Sequence, residues 1–173
     1  NISMDNQYIV STYYNDVSNG SAEYRFLYRS SSGIQFQLFD GGVPDRIGRT
    51  TGDISGQAEN WNFYCGTYDG STSNDGIDIY INGIVSDLSN SSAGSYVSTD
   101  NTDNFVVIGG GQLDPVAESK FLNGTIDEVR IWNRSLSAAE VKQMYYSNLR
   151  KYDSDSWDLF INETNLTDGT HNY

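Results

Sequence analysis

The sequence predicts an all-β chain closed near its C-terminal end by one short helix. Three observations carry this. Thirteen Tyr, seven Phe, three Trp and seventeen Gly stand against two Pro in 173 residues, a composition suited to strands joined by many turns. Short runs of alternating apolar and polar residues recur between turn dipeptides such as Asn19-Gly20, Asn82-Gly83 and Asn123-Gly124. Only one stretch changes period. There Ser137 is a natural N-cap and Glu140, three residues on, completes a capping box, in which each side chain satisfies a backbone donor the helix leaves orphaned. Leu136, Val141 and Tyr145 form the expected inward stripe of that helix. The length suits one domain with a core of its own.

In chain order, Gln7 to Tyr14 is the first expected strand, turned by Asn15 to Ser21. Glu23 to Arg29 alternates cleanly, with Tyr24, Phe26 and Tyr28 opposite Arg25, Leu27 and Arg29. Ser30 to Gly33 links it to Ile34 to Phe39, where Ile34, Phe36 and Leu38 face inward, and the two make a hairpin. Asp40 to Gly56 is Gly-rich, carries Pro44 and reads as a long surface loop. In Asn60 to Tyr68, Trp61, Phe63, Cys65 and Thr67 share one face, which leaves Tyr64 and Tyr68 outward. Ile77, Ile79 and Ile81 then face the core, with Tyr80 outward, before the Asn82-Gly83 turn. Leu88 to Asp103 is a polar loop and Phe105 to Gly109 a short buried strand. Thr125 to Trp132 is apolar and β-branched, which suits a half-buried strand. Val129 and Ile131 share a face there, and a bulge near Asp127-Glu128 is expected to bring Ile126 onto it. Lys151 to Ser156 is charged and flexible in character, and Trp157 to Ile161 offers a last strand.

Two of these stretches carry a family resemblance. G-T-I-D-E-V-R-I-W-N-R-S-L-S-A-A-E-V, from Gly124 to Val141, resembles the closing strand and helix of the laminin-G-like, concanavalin A-like jelly rolls, pentraxins among them. W-N-F-Y-C-G-T-Y-D-G from Trp61, followed by I-D-I-Y-I-N-G from Ile77, is similar to the central hairpin of the same family. The resemblance implies a two-sheet antiparallel jelly-roll sandwich. It also implies strands ahead of Gln7 that this chain does not contain, and an end before Trp157. Residues 1–150 are therefore expected to be a domain lacking its first strands, and residues 151–173 an extra strand or the start of a following module. Since a truncated sandwich leaves bare edges, Trp157 to Ile161 is expected either to fill the vacant strand position or to pair with a neighbouring chain.

The formal charge of −13 repels phosphate backbones and anionic lipid, which excludes nucleic acid and membrane surfaces as partners. No apolar run approaches the ~18 residues of a membrane span. Cys65 is alone, so no disulfide forms within the chain, and it reads as a small buried hydrophobe. For sugars, whose apolar faces stack on aromatic rings, the outward candidates are Tyr13, Tyr64, Tyr68, Tyr80 and Trp132. For calcium, I-G-G-G-Q-L-D at Ile108 to Asp114 is similar to the pentraxin calcium stretch. That resemblance implies Gln112 and Asp114 as ligands, with Gly111 standing where a further acidic ligand belongs, and Asp127 beside a structural metal in related jelly rolls. Related sandwich glucanases place E-x-D-x-x-E along one strand. Asp127 and Glu128 are adjacent and point oppositely on a regular strand, so no retaining pair is expected. The function expected is a non-catalytic carbohydrate-binding or adhesion module of an extracellular or cell-surface protein, with a glycan or glycoprotein partner and calcium assisting. A ligand-free spacer, or an accessory domain of a polysaccharide-degrading enzyme, is the alternative.

Overall fold

The computed structural model describes residues 6–12, 14–15, 22–41, 44–57, 60–101, 103–113, 120–151 and 157–161, with backbone alone at 14–15, 112–113, 148–151 and 157–161. The strands in chain order are β1 (Gln7–Ser11), β2 (Tyr14–Asn15), β3 (Tyr24–Arg29), β4 (Gly33–Phe39), β5 (Arg46–Thr50), β6 (Tyr64–Tyr68) and β7 (Ile77–Ile81). After them come β8 (Ile84–Val85), β9 (Ser89–Asn90), β10 (Val107–Ile108) and β11 (Gln112–Leu113). Helix α1 (Ala138–Tyr146) leads directly into β12 (Ser147–Lys151), and β13 (Trp157–Ile161) is last. Six strands form one antiparallel sheet in the order β10-β1-β3-β4-β5-β9, and three form a second, β6-β7-β8. These are the two layers of a jelly-roll sandwich.

Alternation drives the central hairpin as expected. In β3 and β4, Phe26 lies opposite Phe36 and Tyr28 opposite Ile34, so one face of the larger sheet is apolar. Ile34, Ile54, Ile79 and Ile81 form a core with Ile9, Phe26, Tyr28, Phe36 and Tyr64 around it. Leu38, Ile47 and Ile77 form its continuation, flanked by Tyr24, Tyr68 and Tyr96. The layers approach closely at Gly66: a Cβ there would lie 2.7 Å from Phe36 Cδ1. Gly66→Ala should therefore cost about 1–3 kcal/mol through overpacking, read as a lower urea midpoint with an unchanged slope.

The opposite face of the smaller sheet is covered too. Tyr80, Leu136 and Val141 form a cluster with Phe63, Cys65 and Met144, so α1 makes a third layer over β6 and β7. The capping box is complete: Ser137 Oγ accepts from the Glu140 amide at 3.3 Å, and the Glu140 carboxylate accepts from the Ser137 amide at 2.8 Å. Burial pushes the Cys65 thiol up to about 11, which leaves it a packed, unreactive side chain at neutral pH.

The structure departs from the sequence expectations at several points. β5 lies inside the expected loop at 40–56, because only Ile47 of its five residues announces a core face. Its Gly48 sits against the Gln37 side chain, and Arg49 faces inward opposite Phe36. The parity of β6 is reversed: Tyr64 and Tyr68 turn toward the larger sheet, Phe63 and Cys65 toward the helix, and Trp61 is 71 % exposed. At 105–109 only β10 is strand, with Phe105 and Ile108 exposed rather than buried. Thr125 to Trp132 forms no strand, and Val129 and Ile131 are exposed. Glu128, where the bulge was expected, has φ +52°, a left-handed turn that interrupts the pleat, while its carboxylate pairs with Arg130 at 2.8 Å. Finally, β13 pairs with β12 in a ladder of its own and so fills no strand position in either sheet, which corrects the first of the two roles expected of Trp157 to Ile161 and bears only on that one.

One ion pair bolts the layers together. Arg49, on the inner face of β5, donates from Nε to Asp87 Oδ2 at 2.8 Å and from Nη2 to the same oxygen. Asp87 Oδ1 accepts from the amide of Ile79 in β7 at 3.4 Å. Arg49 Nη1 reaches Asn90 Oδ1 at 2.8 Å, so the guanidinium is held on both sides.

Candidate ligand-binding cleft

The capped helix has two faces. Leu136 and Val141 turn inward, while Glu140, Gln143, Met144 and Ser147, at helical spacings of three, four and seven, meet the chain that enters the helix. Trp132 and Arg134 come from that entering segment. Together with Leu136 these residues line an open cleft of about 230 Å³. Trp132 is 49 % exposed.

Charge within the cleft is locked. Arg134 grips Glu140 with both ends of its fork, Nη2 to Oε1 at 2.6 Å and Nη1 to Oε2 at 3.1 Å. Its Cζ lies 5.9 Å from the centre of the Trp132 ring, within cation–π range. Glu140 Oε2 also accepts from the Ser137 hydroxyl at 2.9 Å. The Arg134 hydrogen bonds first, and then those from Ser137, hold the Glu140 carboxyl down to about 2, against 4.5 for an ordinary glutamate. Because the folded value is the lower one, what this carboxylate adds to the helix is complete above about pH 4.5 and is lost as pH falls through about 2. A carbon-detected NMR titration of Glu140 should show its midpoint near the lower figure, with the α1 amide shifts moving in step.

Of the candidates named from the sequence, Trp132 alone lies on this cleft among the described residues. Tyr80 is 2 % exposed under α1, and its hydroxyl donates to Asp78 at 3.2 Å. Burial, then the charge of Asp78, raises its phenol. Tyr64 packs on the isoleucine core, and burial raises its phenol as well. The Tyr68 hydroxyl donates to the Ser71 carbonyl and lies 3.4 Å from that of Tyr96. The expectation that these three face outward is therefore corrected: each fills a space between layers. Tyr13 and Asp114 lie outside the described residues. Gln112 is placed by its backbone in β11, beside Tyr14 of β2. Asp127 is exposed, and no three His, Cys, Asp or Glu converge to hold a metal among the described residues. Arg134, Glu140, Gln143 and Met144 were not foreseen as cleft residues, although the stripe at 140, 143, 144 and 147 was readable beside Trp132.

A family model of laminin G type, described as the concanavalin A-like lectin/glucanases superfamily, matches residues 2–142. The chain belongs to this superfamily. The match covers both sheets of the laminin G-type sandwich and ends within α1, so it takes in Trp132, Arg134 and Glu140. No curated protein matches the chain. Among solved structures, an S-layer domain-containing protein (residues 221–444) from Clostridium thermocellum ATCC 27405 is similar at 24 % identity and a TM-score of 0.31. That match takes in 83 % of this chain and 64 % of the other. No helix among the described residues is long and apolar enough to cross a membrane.

Proposed function

We propose that this laminin G-type domain is a non-catalytic carbohydrate-binding module of an extracellular or cell-surface protein, and that it binds at the Trp132 cleft. The observation that carries this reading is a half-exposed Trp132 on a cleft that Gln143 and Ser147 also line. An aromatic face for the C–H side of a sugar ring, with neutral polar groups for its hydroxyls, is what a sugar subsite requires. The superfamily holds both lectins and glucanases. The lining favours the former, since Glu140 is its one carboxylate and is fully committed to Arg134 and Ser137. Retaining hydrolysis needs two carboxyl groups ~5–5.5 Å apart, and inversion needs two with room for water.

Calcium assistance through Gln112, Asp114 and Asp127 belongs to the same reading as a separate, testable part. The experiment is a glycan array run with and without a chelator, on wild type and on Trp132→Ala. Binding that is lost in Trp132→Ala supports the cleft, and binding lost with chelator supports calcium. An empty array leaves the domain a spacer, while release of reducing ends from a polysaccharide overturns the non-catalytic reading.

A further inference from the structure

Surface ion pairs contribute little to stability, and the Arg134–Glu140 pair is a surface pair, with side chains 53 % and 40 % exposed. Its geometry matters more for what the cleft will accept. An arginine fork is the usual receptor for a sugar carboxylate, through two parallel N–H···O bonds. Here both ends of that fork already hold Glu140, and Nη1 also donates to the Ser135 carbonyl at 3.1 Å. Arg134 and Glu140 are the charged residues of the lining and cancel, while the chain as a whole carries −13. A carboxylated sugar entering the cleft would meet an arginine whose charge and end-on fork Glu140 already answers, inside that negative field. A neutral ring needs only the indole, the amide and the hydroxyl.

Building on the binding reading above, we propose that Glu140 determines the charge class of the ligand: by neutralising Arg134 and holding its end-on fork it makes the Trp132 cleft a site for an uncharged sugar ring and sets it against carboxylated sugars. Glu140→Gln separates this role from the helix cap, because glutamine at the same position also completes a capping box. It leaves Arg134 without its carboxylate partner.

The test titrates wild type, Glu140→Gln, and Glu140→Gln combined with Arg134→Gln against two sets of probes. One set is neutral gluco-, manno- and galacto-oligosaccharides; the other is oligogalacturonate and oligoglucuronate. Circular dichroism melts confirm that each variant is folded. Wild type is expected to bind within the neutral set and to ignore the uronates. Glu140→Gln should gain uronate binding by roughly tenfold or more, weakening with added salt, and the double variant should lose that gain. A folded Glu140→Gln that gains no uronate binding, or a wild type that binds uronates as well as neutral sugars, overturns the proposal. A wild type that binds no neutral probe sinks the carbohydrate reading instead, and the gain in Glu140→Gln still decides the role of this residue.

Discussion

Asp87→Ala is expected to destabilise the domain by about 3–5 kcal/mol, the usual cost of orphaning one half of a buried ion pair. Asp87 is 5 % exposed, and Arg49 facing it is 19 % exposed. The change leaves the guanidinium pointing between the sheets without its main acceptor, and the Ile79 amide without the oxygen it meets. Typical domains are stable by only about 5–15 kcal/mol, so the urea midpoint should fall steeply. Arg49→Met combined with Asp87→Leu should recover much of the loss, because removing both charges also removes their desolvation. The contact of Arg49 with Asp75 at 3.9 Å adds little, since Asp75 is 88 % exposed. A loss below about 1 kcal/mol for Asp87→Ala would mean that the pair behaves as though fully solvated.

Trp132→Ala carries the largest expected effect on recognition. Aromatic anchors of this kind are worth about 2 kcal/mol or more when truncated, which is roughly a 30-fold loss of affinity or more for any glycan the array identifies. Stability should hardly move, because half of the side chain already faces water and exposed substitutions usually fall within about 0.5 kcal/mol. Calorimetric titration beside a thermal melt separates the two effects. An unfolded variant would place Trp132 in the core, and a folded one of unchanged affinity would move the binding surface elsewhere.

The parts of this fold that were legible in the sequence are those where a local rule and the global packing agree. The hairpin of β3 and β4 reads correctly because one side of its alternation is apolar and packs on the core. Helix α1 reads correctly in its position because Ser137 and Glu140 form a closed local motif that needs no partner, while of its expected inward stripe Leu136 and Val141 are buried and Tyr145 is exposed. The Asn82-Gly83 turn follows from the positive φ that both residues adopt. Parity failed at β6 for a definite reason. Both faces of that strand are covered, so alternation marks two interiors and does not say which one meets the other sheet. β5 was hidden because its inward Arg49 is a charged residue whose buried partner lies 38 positions away. Thr125 to Trp132 has the composition of a strand, but propensity alone makes no ladder, and Glu128 turns left-handed in its middle. In the cleft, Trp132 was visible as an aromatic; the Arg134–Glu140 clasp was not, since it joins residues across the helix entrance.

Because α1 is a third layer, one side of a nine-residue helix packs on the sheet while the other lines the cleft proposed for recognition. Val141 and its neighbours toward the sheet are fixed by packing and Glu140 by the cap and the Arg134 pair, whereas Gln143 stands exposed along the cleft. Specificity in such a domain is free to drift by exchange of a few outward side chains while the sandwich beneath goes on folding unchanged.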